Sequence, residues 1–142
     1  MSEVSVIAGA YNIGQCYSFH KSMESVLLQT FDDFEFIICD DGSTDNTWEL
    51  LTNYAKLDRR IKLLQNERNM GLAASLNKCI AESHGLFIAR HDCDDYNDLH
   101  RLEKQVAYFK EHQDVAILGC NVYLFDENGV WGKETFPKHI VN

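Results

Sequence analysis

The sequence predicts an α/β fold, a mostly parallel sheet with helices on both faces, three layers in all. Two observations carry this. Short apolar runs alternate with segments whose apolar residues recur every three to four positions, the order of parallel strands joined by crossover helices. The runs also end in polar loops rich in Asp, Asn and Gly, as the carboxyl ends of such strands do when ligands bind beyond them.

Val4-Ser5-Val6-Ile7-Ala8 is the first strand, ending at Gly9, and Tyr11-Asn12-Ile13-Gly14 is its loop. Phe19, Met23, Val26 and Leu27 fall on one helical face. Phe34 to Cys39 is the second strand, closed by Asp40-Asp41-Gly42-Ser43-Thr44-Asp45. Asn46 with Glu49 three residues on is a capping pair for the next helix, with Trp48, Leu51 and Ala55 as its core stripe. Ile61 to Gln65 is the third strand, followed by the loop Asn66 to Gly71. Leu72, Leu76, Cys79 and Ile80 line a third helix that stops at Gly85. Leu86 to Ala89 is a buried fourth strand, and Leu99, Leu102, Val106 and Phe109 mark a fourth helix. Val115 to Cys120 reads as a fifth strand, and Asn128-Gly129 as a hairpin turn. The only proline is Pro137.

At 142 residues the chain is one domain's worth, enough for a real core. Its net charge of -9 argues against nucleic acid as a main partner, because phosphate backbones need basic surface. No signal peptide and no membrane-length apolar stretch is visible. Five cysteines, odd in number and without C-x-x-C spacing, fit reduced thiols in the cytoplasm, with Cys39 and Cys120 as small core residues. Six scattered histidines show no zinc spacing.

The chemistry concentrates at Phe87-Ile88-Ala89-Arg90-His91-Asp92-Cys93-Asp94-Asp95. In an extended segment Asp92 and Asp94 face one way and Cys93 the other. Two carboxylates that close raise each other's pKa unless a cation joins them, and hard oxygen ligands suit Mg2+ or Mn2+. The plain alternative is an acidic surface turn. The company of the other polar strand-end loops favours the metal. His91 is assigned to packing or hydrogen bonding rather than ligation.

A dehydrogenase-type dinucleotide site is a rival, since Gly9 and Gly14 have the outer spacing of G-x-G-x-x-G. Tyr11 stands where the middle glycine would let backbone reach a pyrophosphate. No P-loop motif is present. Asp40-Asp41-Gly42-Ser43 only approximates a phosphatase D-x-D-G-T loop, because its carboxylates are adjacent.

Val4-Ser5-Val6-Ile7 with Tyr11-Asn12, Glu24 to Phe31, Asp40 to Thr47, Asn69-Met70-Gly71-Leu72-Ala73, Ala89 to Asp95 and Arg101-Leu102-Glu103-Lys104-Gln105 come in one order. In that order they resemble the family 2 glycosyltransferases. The resemblance covers nearly all of the chain to about Cys120. It implies the GT-A fold, a three-layer α/β/α arrangement on a Rossmann-like sheet. It also implies metal-dependent, inverting transfer of a sugar from a nucleotide-diphosphate donor, with a UDP-sugar expected, to a polysaccharide or glycolipid acceptor.

By position, Asp41 would hold the donor's base with Tyr11 stacked beside it. Asp40 adjoins that contact, as a ligand or a structural brace. Asn69 and Arg90 join the donor contacts, with Arg68 as a further source of positive charge. Asp92 would approach the ribose, and Asp92 and Asp94 would hold Mn2+ or Mg2+ on the diphosphate. Asp95 assists or caps the loop.

The chain departs from the family at Gly9-Ala10, where Pro-Thr is usual, and near Leu99, where a proline is common. No carboxylate stands in a recognisable general-base context, Asp126, Glu127 and Glu134 included. The expectation is a donor-binding part acting in the cytoplasm or at the inner membrane face, either a piece of a longer enzyme or a short protein. A non-catalytic nucleotide-binding module is the alternative, and an NAD-type domain the more distant one.

Overall fold

The structure is a computed structural model that describes residues 2–136; Met1 and Pro137 to Asn142 lie outside the described residues. The chain divides into two compact units, Met1–Glu103 and Lys104–Asn142.

The first unit contains a four-stranded parallel sheet formed by β1 (Val4–Ala10), β2 (Phe34–Asp40), β3 (Ile61–Gln65) and β4 (Phe87–Arg90), in the order β3-β2-β1-β4. The connecting helices are α1 (Phe19–Leu27), α2 (Thr47–Leu57) and α3 (Leu72–Ala81). The crossovers from β1 to β2 and from β2 to β3 run one way along the sheet, and that from β3 to β4 runs back. Right-handed crossovers therefore put α1 and α2 on one face and α3 on the other. Side-chain packing agrees. Ile7, Ile37 and Cys39 cluster with Cys79 of α3, while Phe36 points the opposite way and meets the His91 ring at 5.9 Å. The expected three layers around a parallel sheet are what forms.

Burial follows strand position. β1 and β2 have neighbours on both sides and are almost wholly buried. β4 pairs only with β1 among the described residues, and Ile88 stays 46% exposed, so it is less buried than its apolar run predicts. Of the expected α3 face, Cys79 is buried and Leu76 half-buried, while Leu72 and Ile80 are exposed and Ser75 takes a core position. Trp48, expected in the core, is exposed, and Leu51 with Thr47 fills that side of α2.

The cap of α2 also differs. Asn46 makes no side-chain cap; Asp45 Oδ1 accepts from Thr47 N at 3.0 Å and Thr47 Oγ1 at 2.6 Å. Thr47 Oγ1 in turn accepts from Ile13 N at 2.9 Å, and Asp45 Oδ2 from Gly14 N at 2.8 Å. The carboxylate that starts α2 thereby ties down the loop after β1.

The division between the units falls within α4 (Arg101–Glu111). The second unit carries an antiparallel hairpin of β5 (Val122–Asp126) and β6 (Gly129–Glu134), so the predicted turn forms there. Asp126 pairs with Gly129, which has φ 121°, and Asp126 Oδ1 accepts from Asn128 N at 2.7 Å. That carboxylate serves the turn. The register slips between Leu124 and Phe125, leaving Trp131 as the bulged residue. The strand expected over Val115 to Cys120 does not form. Its backbone has no ladder partner among the described residues, Ile117 is 84% exposed, and Cys120 is exposed rather than core. An apolar run becomes a strand only where another strand takes up its N–H and C=O groups.

Candidate functional site

Parallel strands deliver their following loops to one edge, and the strand order decides which loops are neighbours. The loop after β1, with Tyr11, lies between the Asp40-Asp41 loop and the Asp92 loop. The order reverses between β1 and β4, the switch point where ligands enter such sheets. Tyr11 stands on one side of that point and Asp92 on the other.

At the β2 end the two adjacent carboxylates have different roles. Asp40 is fully buried: Oδ1 accepts from Ser43 N at 3.1 Å and Oδ2 from Gln65 Nε2 at 3.1 Å. Both oxygens brace the loop from within, through Ser43 and Gln65. Asp41 is 4% exposed and reaches across to the next loop. Its Oδ1 accepts from Asn66 Nδ2 at 2.7 Å and Met70 N at 2.8 Å, and its Oδ2 from Gly71 N at 2.8 Å. Burial alone would raise its pKa, but the hydrogen bonds from Asn66, Met70, Gly71 and Ser75 together outweigh burial and hold it below the usual range. A carboxylate has about four acceptor positions, so the bonds from Asn66, Met70 and Gly71 leave one that the Ser75 hydroxyl or a ligand can use.

Gly42 makes this convergence sterically possible. It has φ 68°, and a Cβ there would stand 2.4 Å from Arg68 C and 2.8 Å from Asn69 N, both backbone atoms. Asn69 itself is exposed and commits its Oδ1 to Gly71 N at 3.1 Å.

Tyr11 is 46% exposed, leaving its ring free to stack. Asn12 beside it has φ 51°, a conformation asparagine tolerates better than most residues, and its Oδ1 accepts from Thr44 N at 2.9 Å. The Tyr11 and Asp41 loops are thus joined through side chains.

β4 ends opposite Ile7, three residues before β1 ends at Ala10, so the acidic loop climbs beside Gly9. The loop is not extended as the sequence predicts. Asp95 N donates to Asp92 O at 3.0 Å, closing a turn over Cys93 and Asp94. Cys93 still points inward, its thiol donating to Gly9 O at 3.6 Å and pushed up to about 12 by burial and by the Asp94 and Asp92 charges. Asp92 is half-buried and Asp94 exposed. The crowding of like charges is felt at Asp95, raised first by burial and then by Asp94 and Asp92. Arg90 grips Asp92 with two nitrogens, Nη2 to Oδ2 at 2.8 Å and Nε to Oδ1 at 3.1 Å.

Among the described residues no three His, Cys, Asp or Glu side chains gather as a metal cluster. A divalent ion here would rest on the hard oxygens of Asp92 and Asp94 and fill its shell with phosphate and water, as Mg2+ commonly does. Carboxylate oxygens are the donor type such an ion takes. Arg90 pairs with Asp92 at the surface, a bond weak enough to be exchanged for a ligand.

Beneath this loop lies a polar layer that sequence reasoning left out. Ser22 and Gln29 are buried on or beside α1. Gln29 Nε2 donates to Asp98 O at 2.7 Å and its Oε1 accepts from Leu102 N at 3.0 Å, while Ser25 Oγ accepts from Asn97 N at 3.0 Å. His91, 2% exposed, is held between Ser22 and Asn97, and burial with the Arg101 charge drives it down to about 4. It is therefore neutral, in the hydrogen-bonding role expected. The available signal was Ser22 itself, a polar residue within the stripe Phe19, Met23, Val26.

The fold defines a doubly wound α/β protein, the class in which ligands enter beyond the carboxyl ends of the strands. The chain belongs to glycosyl transferase family 2, whose sequence model matches residues 5–141. It is 44% identical over 136 residues to EpsE of Bacillus subtilis, which carries a glycosyltransferase name, covering 95% of this chain and 48% of EpsE. It is 34% identical to Escherichia coli WfgD, named a UDP-Glc:α-D-GlcNAc-diphosphoundecaprenol β-1,3-glucosyltransferase, covering 96% of this chain and 52% of WfgD. The chain thus spans about half the length of these relatives. Residues 1–349 of Staphylococcus aureus TarS in complex with UDP-GlcNAc superpose with TM-score 0.71 at 29% identity, over 80% of this chain and 32% of that TarS chain. The fold is of the GT-A type, as the motif order implies.

Proposed function

We propose that this chain is the donor-binding part of an inverting, metal-dependent glycosyltransferase that uses a UDP-sugar. The observation that carries the proposal is the order of loops along the strand ends. Neighbouring strands lie about 4.8 Å apart, so the β2 and β4 ends are roughly 10 Å apart with the Tyr11 loop between them. The Tyr11 ring and the Asp41 acceptor position that the Ser75 hydroxyl takes, which a base can claim in its place, suit a base at one end, and Asp92 with Asp94 suits a charged diphosphate at the other. The UDP-GlcNAc complex of TarS and the UDP-Glc named for WfgD support this donor class.

In this reading Tyr11 stacks on the base and Asp41 accepts one of its hydrogens. Asp40 shapes the loop through Ser43 and Gln65. Asn69 and Arg90 border the donor, Arg90 turning from Asp92 toward phosphate. Asp92 and Asp94 hold Mn2+ or Mg2+. The ion supplies Lewis-acid neutralisation of the departing diphosphate. No described residue is assigned to the general base. The acceptor is a polysaccharide or lipid-linked saccharide, by analogy with WfgD's named substrate.

Calorimetry of UDP with and without Mn2+ tests the proposal. Asp94→Ala is expected to weaken UDP binding in Mn2+ by about tenfold or more, and to change metal-free binding little. Binding of NAD indifferent to metal, or an Asp94→Ala variant that keeps its Mn2+ response, would overturn it.

A further inference from the structure

His91 and Ser22 are buried directly beneath the Asp92 loop and take no part in holding the donor. Their hydrogen bonds can be given a direction. A guanidinium only donates, so the 2.7 Å contact from Arg101 Nη1 makes Asn97 Oδ1 the acceptor. The amide nitrogen then faces His91 Nδ1 at 3.1 Å and donates to it. The imidazole proton accordingly sits on Nε2 and is donated to Ser22 Oγ at 2.9 Å. Ser22 keeps its own proton, and the Asp92 carbonyl lies 3.4 Å from its oxygen. Arg101 Nη2 also donates to Arg90 O at 2.9 Å. One guanidinium therefore holds the backbone before His91 directly, at Arg90 O, and the backbone after it through Asn97, His91 and Ser22, at Asp92 O.

The exposed Arg90–Asp92 pair is a poor candidate for holding Asp92 in place. Its side chains are 57% and 38% exposed, and such pairs contribute little. A one-directional hydrogen-bond chain, buried at its His91–Ser22 link, is the stiffer constraint, because no link can reverse without setting donor against donor.

We propose that Arg101, acting through Asn97, His91 and Ser22, is a positioning residue that fixes the backbone at Arg90 and Asp92 and so aims the Asp92 carboxylate at the metal-bound diphosphate. This rests on the donor site proposed above. Groups that orient metal ligands from behind typically change metal affinity ten- to a hundredfold when removed, roughly the size expected here.

Asn97→Asp tests the direction of the relay, since a carboxylate of the same shape cannot donate to Nδ1. Long-range 1H–15N spectra of the histidine rings report which nitrogen is protonated. The expected result is His91 protonated on Nε2 in the unaltered chain and on Nδ1 in Asn97→Asp. UDP affinity in Mn2+ is expected to fall about tenfold in that variant, with metal-free affinity and thermal midpoint nearly unchanged. Ser22→Ala, which removes the links on both sides of that hydroxyl, should give the same selective loss with the proton still on Nε2. An unaltered chain protonated on Nδ1 overturns the relay. So do variants that bind UDP with Mn2+ as tightly as before, or that lose affinity equally without metal. Failure of the donor site itself looks different, for then the unaltered chain binds no UDP whichever nitrogen carries the proton.

Discussion

Asp41→Ala should destabilise the fold by about 3 kcal/mol, read as a shift in chemical denaturation midpoint at unchanged slope. The carboxylate takes hydrogen bonds from Asn66 Nδ2, Met70 N and Gly71 N. Hydrogen bonds to a charged group contribute about 1.5–3 kcal/mol each. The sum is discounted because Asn66 Nδ2 keeps Ser75 Oγ and Gly71 N keeps Asn69 Oδ1. Asp41→Asn should do no better than alanine, because its amide hydrogens would face a backbone N–H. A fully stable Asp41→Asn would show that the charge and acceptors are dispensable.

The same residue carries a pH signature. Asp41 and Asp45 have folded-state pKa values below the ordinary carboxylate value of 3.8. For Asp41, burial pushes upward and its four hydrogen-bond donors overcome it; for Asp45 the Thr47 side chain is the largest influence. A lowered folded pKa contributes stability above the unfolded value and loses it as pH falls through the folded one. Stability should therefore decline below about pH 4, and the gap between the unaltered chain and Asp41→Ala should close in that range. A gap that stays constant on acidification would contradict this account.

The second large effect is expected at Gly42. Gly42→Ala should cost about 3 kcal/mol or more, from the left-handed backbone and from overlap with its neighbour. The atoms a Cβ would meet are Arg68 C, Arg68 Cα and Asn69 N, at 2.4, 2.6 and 2.8 Å, so no side-chain rotation relieves them. The loop carrying Asn69 has to move away, and with it the Met70 and Gly71 N–H groups that Asp41 binds. Both variants release that one loop, so the double variant should lose less than the two singles added. Full additivity would show two independent supports. A Gly42→Ala chain of normal denaturation midpoint would show that the loop yields freely.

Residue order alone determined the alternation of strands and helices, and with it the parallel sheet and the strand-end loops where Tyr11, Asp41, Asp92 and Asp94 lie. Those features are local, because a buried strand is a short apolar run and a helix face repeats every three to four residues. The motif order carried the family as well.

Tertiary structure decided matters that depend on distant partners. Val115 to Cys120 has a strand's composition and no ladder to join among the described residues, and Trp48 lies on a helix face that its neighbours do not cover. Asp40 and Asp41 are adjacent and chemically identical. One is sealed by Ser43 and Gln65, and the other reaches the loop after β3, because successive side chains point different ways at a strand end. Ser22, Asn97 and Arg101 have no common motif, and Ser22 is far from the other two in the chain. Only the packing of α1 against the loop after β4 brings them beneath Asp92, since a hydrogen bond depends on where atoms meet and not on sequence separation.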